Sequence, residues 1–236
     1  MSHRRTLPLL ATLVAALLIL AGCGGSGGAK AKKEPSPASI MATAKKHFDD
    51  ASSVHIELST TSVPKTGNAV LAASGDVTHD PAFKGNVKVL LGGFTATVPV
   101  TSVGGKVFAQ LPLQTKYAVI KPSEYGAPDP ADFADPDNGL SSLLTKLDGL
   151  KKGAETRKGD QILTSYTGTL PGKAVKSIIP SADTAATYKT VVGVDDKGVA
   201  TTVKITGPFF TGGGDVTYDV AFSQYDQGVK ITAPTA

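Results

Sequence analysis

Bulky side chains, sulfur and charge are all scarce in this sequence. It has no tryptophan, and aromatic residues make up only 6% of its 236 residues. A domain of this size normally fills part of its interior with rings that each bury about 150–250 Å², so small apolar side chains form most of this core. Such a core can be packed solidly or can leave a hollow, and the composition is compatible with both.

The single cysteine, Cys23, excludes a disulfide bond within the chain. Charged residues amount to 19% and the formal net charge is +4, with no basic run interleaved with aromatic residues. We therefore expect no nucleic-acid partner. The four histidines lack the spacing of zinc ligands, so the sequence predicts no metal and no other cofactor.

Patterns of catalytic residues are also missing. The Gly-x-Ser-x-Gly elbow of serine hydrolases is absent. Ser74-Gly75-Asp76 lies in a strand-like stretch, where a turn or bulge is more frequent than catalysis. We therefore expect no enzymatic activity.

Four aspartates in a proline-rich loop remain as a candidate cation site, and they are Asp129, Asp132, Asp135 and Asp137. Carboxylate oxygens suit a hard cation such as calcium, but these four do not follow the EF-hand pattern. The sequence favours solvated loop carboxylates over a calcium site.

The most specific motif is at the N-terminus. His3, Arg4 and Arg5 precede an apolar run from Leu7 to Ala21, which is shorter than the roughly 20 residues that a membrane-spanning helix needs. This arrangement is typical of a secretory signal peptide. Leu20-Ala21-Gly22-Cys23 then matches the lipobox of bacterial lipoproteins, in which the cysteine is acylated and the preceding peptide is removed.

We therefore predict a signal peptide at 1–22, an acylated Cys23 with a flexible linker over 23–36, and a single domain over 37–236. The linker is inferred from a Gly, Ser, Ala, Lys and Pro composition without apolar periodicity. Acyl chains on Cys23 would anchor the protein on the extracytoplasmic side of the cell membrane. The alternative is an uncleaved N-terminal anchor followed by a chance cysteine.

Apolar residues at helical spacing predict three helices. Ser36-Pro37 suits a helix start, and a helix is expected over 37–51. Leucines then recur at positions 140, 143, 144, 147 and 150, and they predict a second helix that ends near Gly153. A third, short helix is expected over 172–179, where Pro180 stops it.

Alternating apolar residues predict strands over much of the remaining chain. The strands are expected at 54–58, 69–78, 83–91, 94–103, 106–111, 116–120, 161–170, 187–194, 199–206, 215–224 and 229–232. Their short connections favour antiparallel hairpins. The predicted fold is α+β, a large antiparallel sheet with two or three helices on one face.

Several segments, in this order and spacing, resemble the LppX/LprA/LprF/LprG family of mycobacterial cell-envelope lipoproteins. They are the lipobox, Ser74-Gly75-Asp76-Val77-Thr78, Gly85-Asn86-Val87-Lys88-Val89, Pro136-Asp137-Asn138-Gly139-Leu140 and Val229-Lys230-Ile231-Thr232. The resemblance implies a curved antiparallel half-barrel with helices on its concave face. It also implies that sheet and helices enclose a large apolar cavity for acyl chains of lipids or glycolipids.

On this resemblance Val87, Val89 and Leu91 would line the cavity, opposite leucines of the second helix. The residues expected opposite them are Leu140, Leu143 and Leu144. Periodicity adds further lining residues, which are Val54, Ile56, Leu58, Ala96, Val98, Leu147 and Ile178. The implied function is that of a membrane-anchored lipoprotein that carries lipid across the cell envelope, with an envelope lipid exporter as a further partner. A scaffold lipoprotein with a filled core and an envelope hydrolase are the alternatives.

Overall fold

The strands of this protein form one continuous sheet. The computed structural model describes residues 34–63, 68–210 and 214–235, and the described elements belong to one compact unit, Pro35–Ala236. The predicted signal peptide and Cys23 lie outside the described residues. No helix in the described part of the chain is long and apolar enough to cross a membrane.

Eleven strands make up the sheet in the described ranges. They are β1 (Ser53–Thr60), β2 (Ala69–Thr78), β3 (Ala82–Leu91), β4 (Phe94–Val103), β5 (Lys106–Ala109), β6 (Ala118–Ile120), β7 (Asp148–Lys158), β8 (Gln161–Pro171), β9 (Thr187–Asp195), β10 (Ala200–Gly207) and β11 (Val216–Ser223). Their spatial order is β6-β5-β4-β3-β2-β1-β11-β10-β9-β8-β7. All neighbours are antiparallel. The sheet is curved and does not close, which confirms the predicted fold class.

The helices are short except for the first. The described residues contain α1 (Pro37–Asp50), α2 (Ser142–Thr145) and α3 (Gly172–Lys176), with 3₁₀ helices at Pro122–Tyr125 and Pro130–Ala134. α1 begins as predicted, because the Ser36 hydroxyl accepts a hydrogen bond from the Ser39 N–H (3.2 Å) and Pro37 needs no N–H partner in the first turn.

The predicted leucine helix is wrong beyond its first turn. α2 ends at Thr145, and the chain enters β7 at Asp148. Gly149 adopts a left-handed backbone with φ of 63°, which no right-handed helix accommodates. Pairing with β8 supplies partners for the backbone of β7, so tertiary pairing overrides the local leucine spacing.

Two other predicted elements differ from the structure. α3 stops at Lys176, and Ile178 and Ile179 follow it in a turn whose N–H groups both bond the Val175 carbonyl. The strand expected at 229–232 is absent, because this stretch follows β11 without pairing to any strand that the structure describes.

Gly75 and Gly85 lie opposite each other on β2 and β3. The expected turn or bulge at Gly75 is wrong, since its register with both neighbouring strands is regular. A side chain at either glycine would come within 3 Å of the Phe83 ring, at 2.8 Å and 2.9 Å. Close approach of two backbones beneath an aromatic ring therefore requires glycine at both positions.

The core lies on one face of the sheet. α1 buries Met41, Ala44 and Phe48 against this face. The Phe48 and Phe222 rings meet edge-on, with their centroids 5.4 Å apart. α1 is also tied to the turn before α2, because the Ser141 hydroxyl donates to the Asp49 carboxylate (2.6 Å). The helices are thus held on the face where the sequence places its apolar residues.

Candidate functional site

An apolar hollow separates the core face of β2–β5 from the segment 122–133. Its volume is about 90 Å³. The lining residues are Leu58, Val70, Ala73, Phe83, Val87, Val89, Leu91, Val98, Val100, Val107, Ala109, Leu111, Ile120, Pro122, Tyr125, Ala127, Pro128, Pro130 and Phe133. Among them only Tyr125 carries a polar side-chain group, so a guest would meet carbon on nearly every side.

Side chains become more exposed toward one end of the strands that line the hollow. On the core face of β4, Val100 and Val98 are buried, whereas Phe94 at the start of the strand is 81% exposed. On β5 and its continuation, Ala109 is fully buried and Leu113 is fully exposed. Since β4 and β5 are antiparallel, Phe94 and Leu113 lie at the same end of the sheet. We call this end the mouth.

Two smaller hollows adjoin the first. One of about 40 Å³ includes Val70, Phe133 and Tyr218, and one of about 10 Å³ includes Ile178 and Tyr218. Leu58 lines all three hollows. The three spaces are therefore neighbours around a single leucine on the central strand β1.

The size of the first hollow limits what it holds without rearrangement. By this measure a water-sized group needs about 10–15 Å³, so the hollow accommodates about six to nine such groups. A methylene group is similar in size. The space as it stands therefore matches one section of an acyl chain rather than a whole long-chain lipid.

The residues predicted to line the cavity fall into three groups. Lining the first hollow are Leu58, Val87, Val89, Leu91 and Val98. Lining the 10 Å³ hollow, besides Leu58, are Leu140, Leu143 and Ile178. Packed in the core without lining a hollow given above are Val54, Ile56, Leu144, Ala96 and Leu147, of which the last two are half-buried. Val87, Val89 and Leu91 thus share their hollow with the segment 122–133 rather than with Leu140, Leu143 and Leu144.

Sequence reasoning missed the residues that cover the first hollow. Pro128, Pro130 and Phe133 belong to the proline-rich stretch that was expected to be a loop. Their apolar side chains show no helical or strand period, so periodicity could not detect them. The remaining signal is composition, because proline, alanine, tyrosine and phenylalanine alternate there with the aspartates.

We call the segment 122–133 the cover. Aspartates within it and just after it hold it in place. Asp129 accepts hydrogen bonds from the Ser102 hydroxyl (2.6 Å) and from the Ala131 N–H (2.9 Å), so it ties the second 3₁₀ helix to β4. Asp135 accepts from the N–H groups of Asp137 (2.7 Å) and Asn138 (3.0 Å). In the described residues no three acidic, histidine or cysteine side chains form a metal-binding group.

Two of these carboxyls have shifted pKa values. Partial burial raises the pKa of Asp132, and the charges of Asp129 and Asp135 raise it further. The two backbone N–H groups lower the pKa of Asp135, because they stabilise its ionised form. These shifts agree with a structural role of the aspartates in the covering segment.

On the opposite face of the sheet, Asp76, His55 and Ser74 are arranged in the Asp–His–Ser order of a catalytic triad. His55 Nδ1 lies 2.7 Å from an Asp76 carboxylate oxygen, and Nε2 lies 3.3 Å from the Ser74 hydroxyl. None of the three residues lines a hollow given above. Both strands are paired on both sides, so their backbone N–H groups are engaged in the sheet rather than free to bind an oxyanion.

The sequence pattern of the LppX_LprAFG lipoprotein family matches residues 36–231. The chain belongs to this family. The match covers the entire sheet, and it confirms the resemblance drawn from the sequence. The family places the protein among lipoproteins of the cell envelope.

Curated relatives carry one name. The lipoarabinomannan carrier protein LprG of Mycobacterium leprae is 25% identical over 98% of this chain and 96% of its own length. The protein of the same name from Mycobacterium bovis strain BCG is 26% identical with the same coverage. Identity is low but extends along nearly the full length of both chains.

Two crystal structures share the fold. LprF from Mycobacterium bovis has a TM-score of 0.70 at 15% identity, and the match covers 86% of this chain and 99% of LprF. LppX from Mycobacterium tuberculosis has a TM-score of 0.61 at 18% identity, with 84% and 100% covered. The curved, unclosed sheet is thus common to the family.

Proposed function

We propose that this protein is a non-enzymatic lipid carrier of the cell envelope, and that it holds acyl chains in the hollow beneath the segment 122–133. One observation carries the proposal: the hollow has an almost entirely carbon lining. Membership of a lipoprotein family whose curated relatives are named lipoarabinomannan carriers supports it.

Energetics explain why such a carrier needs this kind of site. At about 0.8 kcal/mol per methylene, a 16-carbon chain exposed to water costs on the order of 13 kcal/mol. A dry apolar hollow removes that cost without requiring any specific polar contact. The headgroup of the lipid or glycolipid would remain near the mouth, where water can solvate it.

A whole acyl chain requires more room than the first hollow offers. The 40 Å³ hollow shares Leu58, Val70, Pro128 and Phe133 with it. Only Leu58 and Val70 belong to the sheet, whereas Pro128 and Phe133 come from the cover. We expect an outward shift of the cover to join the two spaces when a lipid enters.

The acylated Cys23 and the linker that follows it complete the proposal. They would tether the carrier to the extracytoplasmic face of the cell membrane, within reach of its lipids and of an envelope lipid exporter that supplies cargo. The glycolipid class named for the relatives, lipoarabinomannan, is the cargo we would test first.

The test is lipid extraction from purified protein. Residues 24–236, which include the whole compact unit, are expressed without the anchor, and the protein is extracted with organic solvent for mass spectrometry. We expect about one acyl lipid per protein. A lipid-free protein that also excludes lipids added in vitro would contradict the proposal and favour a scaffold.

The hydrolase alternative has one observation in its favour, the Ser74–His55–Asp76 arrangement. The same purified protein decides this question. Turnover of ester substrates that is lost in Ser74→Ala would establish hydrolysis, whereas intact ester lipid recovered from the protein supports carriage.

A further inference from the structure

The mouth of the hollow is formed by the ends of several strands. The connection between β3 and β4 lies there, as does the segment that leaves β5 and the segment that follows β1. These connections are chain neighbours of the strands whose core faces line the hollow. Whatever contacts this end of the sheet is therefore next to the opening.

The two most exposed large apolar side chains of the described residues, Phe94 and Leu113, lie at the mouth. Phe94 is 81% exposed, beside a hairpin turn formed by Gly92 and Gly93, and Leu113 is fully exposed. Leu113 also has a φ of 67°, a left-handed backbone that is uncommon for leucine. Neither residue lines the hollow, so neither is placed by packing inside it.

The charged residues in the chain stretches that contain Phe94 and Leu113 are both positive. In the stretches 86–97 and 110–119, the charged residues are Lys88 and Lys116, and both are exposed. The nearby described stretches 61–63 and 68–72 contain no charged residue. These stretches are therefore attracted to a negatively charged surface.

We propose that the mouth docks on an anionic lipid bilayer, with Phe94 and Leu113 inserted among the acyl chains and Lys88 and Lys116 against the headgroups. This inference rests on the proposed carrier function, because it gives the hollow direct access to membrane lipid. A chain leaving the bilayer would pass Leu91 and Leu111 and would not cross water.

A bilayer fits these features better than a protein surface does. Phe94 and the smaller Leu113, even at the roughly 150–250 Å² that an aromatic side chain buries, fall well short of the roughly 800 Å² per partner that a stable protein interface buries. Insertion into a bilayer needs no complementary surface, because each apolar side chain is stabilised separately by leaving water. The favoured partner is therefore the membrane itself.

The absence of tryptophan permits a direct test of insertion. Phe94→Trp and, as control, Ile162→Trp are made in residues 24–236, and each is mixed with phosphatidylglycerol-containing vesicles whose acyl chains carry bromine. Ile162 is 46% exposed at the opposite end of the sheet. We expect quenching and a blue shift of indole emission in the Phe94→Trp variant only. Equal or absent quenching in the two variants would overturn the proposal.

A second variant separates docking from lipid binding. Phe94→Ser combined with Leu113→Ser should weaken vesicle binding at least about a hundredfold, since each of the two apolar side chains contributes a tenfold factor or more on burial. Binding of a monomeric fluorescent fatty acid from solution should not change. Vesicle binding equal to that of the unmodified protein would contradict docking. Vesicle docking by a protein that binds no fatty acid would uphold docking while contradicting the carrier function.

Discussion

The two halves of the sheet face the same core and yet are built differently. In the packed half, β8–β11 with α1, large side chains fill the space. The Phe209 ring packs between the rings of Tyr188 and Tyr218 in tilted and edge-on contacts, with centroids 4.8 Å apart in each pair. In the open half, β2–β6 with the segment 122–133, the residues between sheet and cover are mostly valine, alanine and proline. The hollow lies in the open half.

The few aromatic residues of this protein are distributed unequally between the two halves. Among the described residues, five aromatic side chains are less than 2% exposed, and of these only Phe83 belongs to the open half. Tyr218 also connects the halves, because its hydroxyl donates to the Val70 carbonyl (2.8 Å). The packed half therefore stabilises the fold, which leaves the open half free to keep unfilled space.

The largest expected effect compares the same substitution in both halves. Leu170 is fully buried on β8, and Leu91 is half-buried at the hollow. Leu170→Ala should lower the free energy of unfolding by about 2–5 kcal/mol, because it leaves a new cavity in a filled core. Leu91→Ala should cost less than about 1 kcal/mol, since it only enlarges existing space. Urea denaturation measures both.

The comparison has a clear contrary outcome. Equal losses of stability in the two variants, with unchanged dependence on urea concentration, would mean that both halves are packed alike. The distinction between a structural half and a binding half would then be abandoned.

Much of the fold could be predicted from the sequence because the signals are local. The Ser36-Pro37 start of α1 and the alternation along much of β1 to β4 reflect caps and faces that act within a few residues. The leucine spacing failed to predict the end of this helix. A long helix and a single helical turn followed by a strand can both bury Leu140, Leu143 and Leu144. Which of the two forms depends on the pairing of β7 with β8, and β8 lies outside the leucine series.

The candidate site could be predicted only on its sheet side. Val87 and Val89 alternate with outward residues, so period two marks their face. The covering side chains Pro130 and Phe133 follow a chain path set by two 3₁₀ helices and by the Asp129–Ser102 hydrogen bond. Neither the helical nor the strand period of apolar residues encodes such a path. A long-range contact of this kind becomes visible only in three dimensions.

A second prediction fills the hollow rather than enlarging it. Val89→Trp places an indole in a space of about 90 Å³, so acyl-lipid recovery should fall to background. The fold should persist, because the ring can occupy existing space and the cost of overpacking is typically about 1–3 kcal/mol. Solvent extraction with mass spectrometry gives the lipid content, and a denaturation curve gives the stability.

The matched control lies on the same strand. Asn86→Trp adds the same ring to the exposed, opposite face of β3 and should leave lipid content unchanged. Full lipid content in Val89→Trp would remove Val89 from the lipid-binding wall. Loss of lipid in both variants would point to damage of the strand instead.

The smallest effect concerns the turn that joins the two halves. Asp135 lies between the cover residue Phe133 and the packed residue Leu140, and its lowered pKa comes from the N–H groups of Asp137 and Asn138. A carboxyl whose folded pKa is depressed stabilises the fold above its unfolded pKa of about 3.9, and this contribution is lost as pH falls through the folded pKa.

Solvent screens the group, so Asp135→Asn should cost less than about 0.5 kcal/mol at neutral pH. The difference from the unmodified protein should vanish in acid, and urea denaturation over a range of pH measures it. A difference that persists undiminished in acid strong enough to protonate the carboxyl in both the folded and the unfolded protein would assign the effect to the altered side chain and not to its charge.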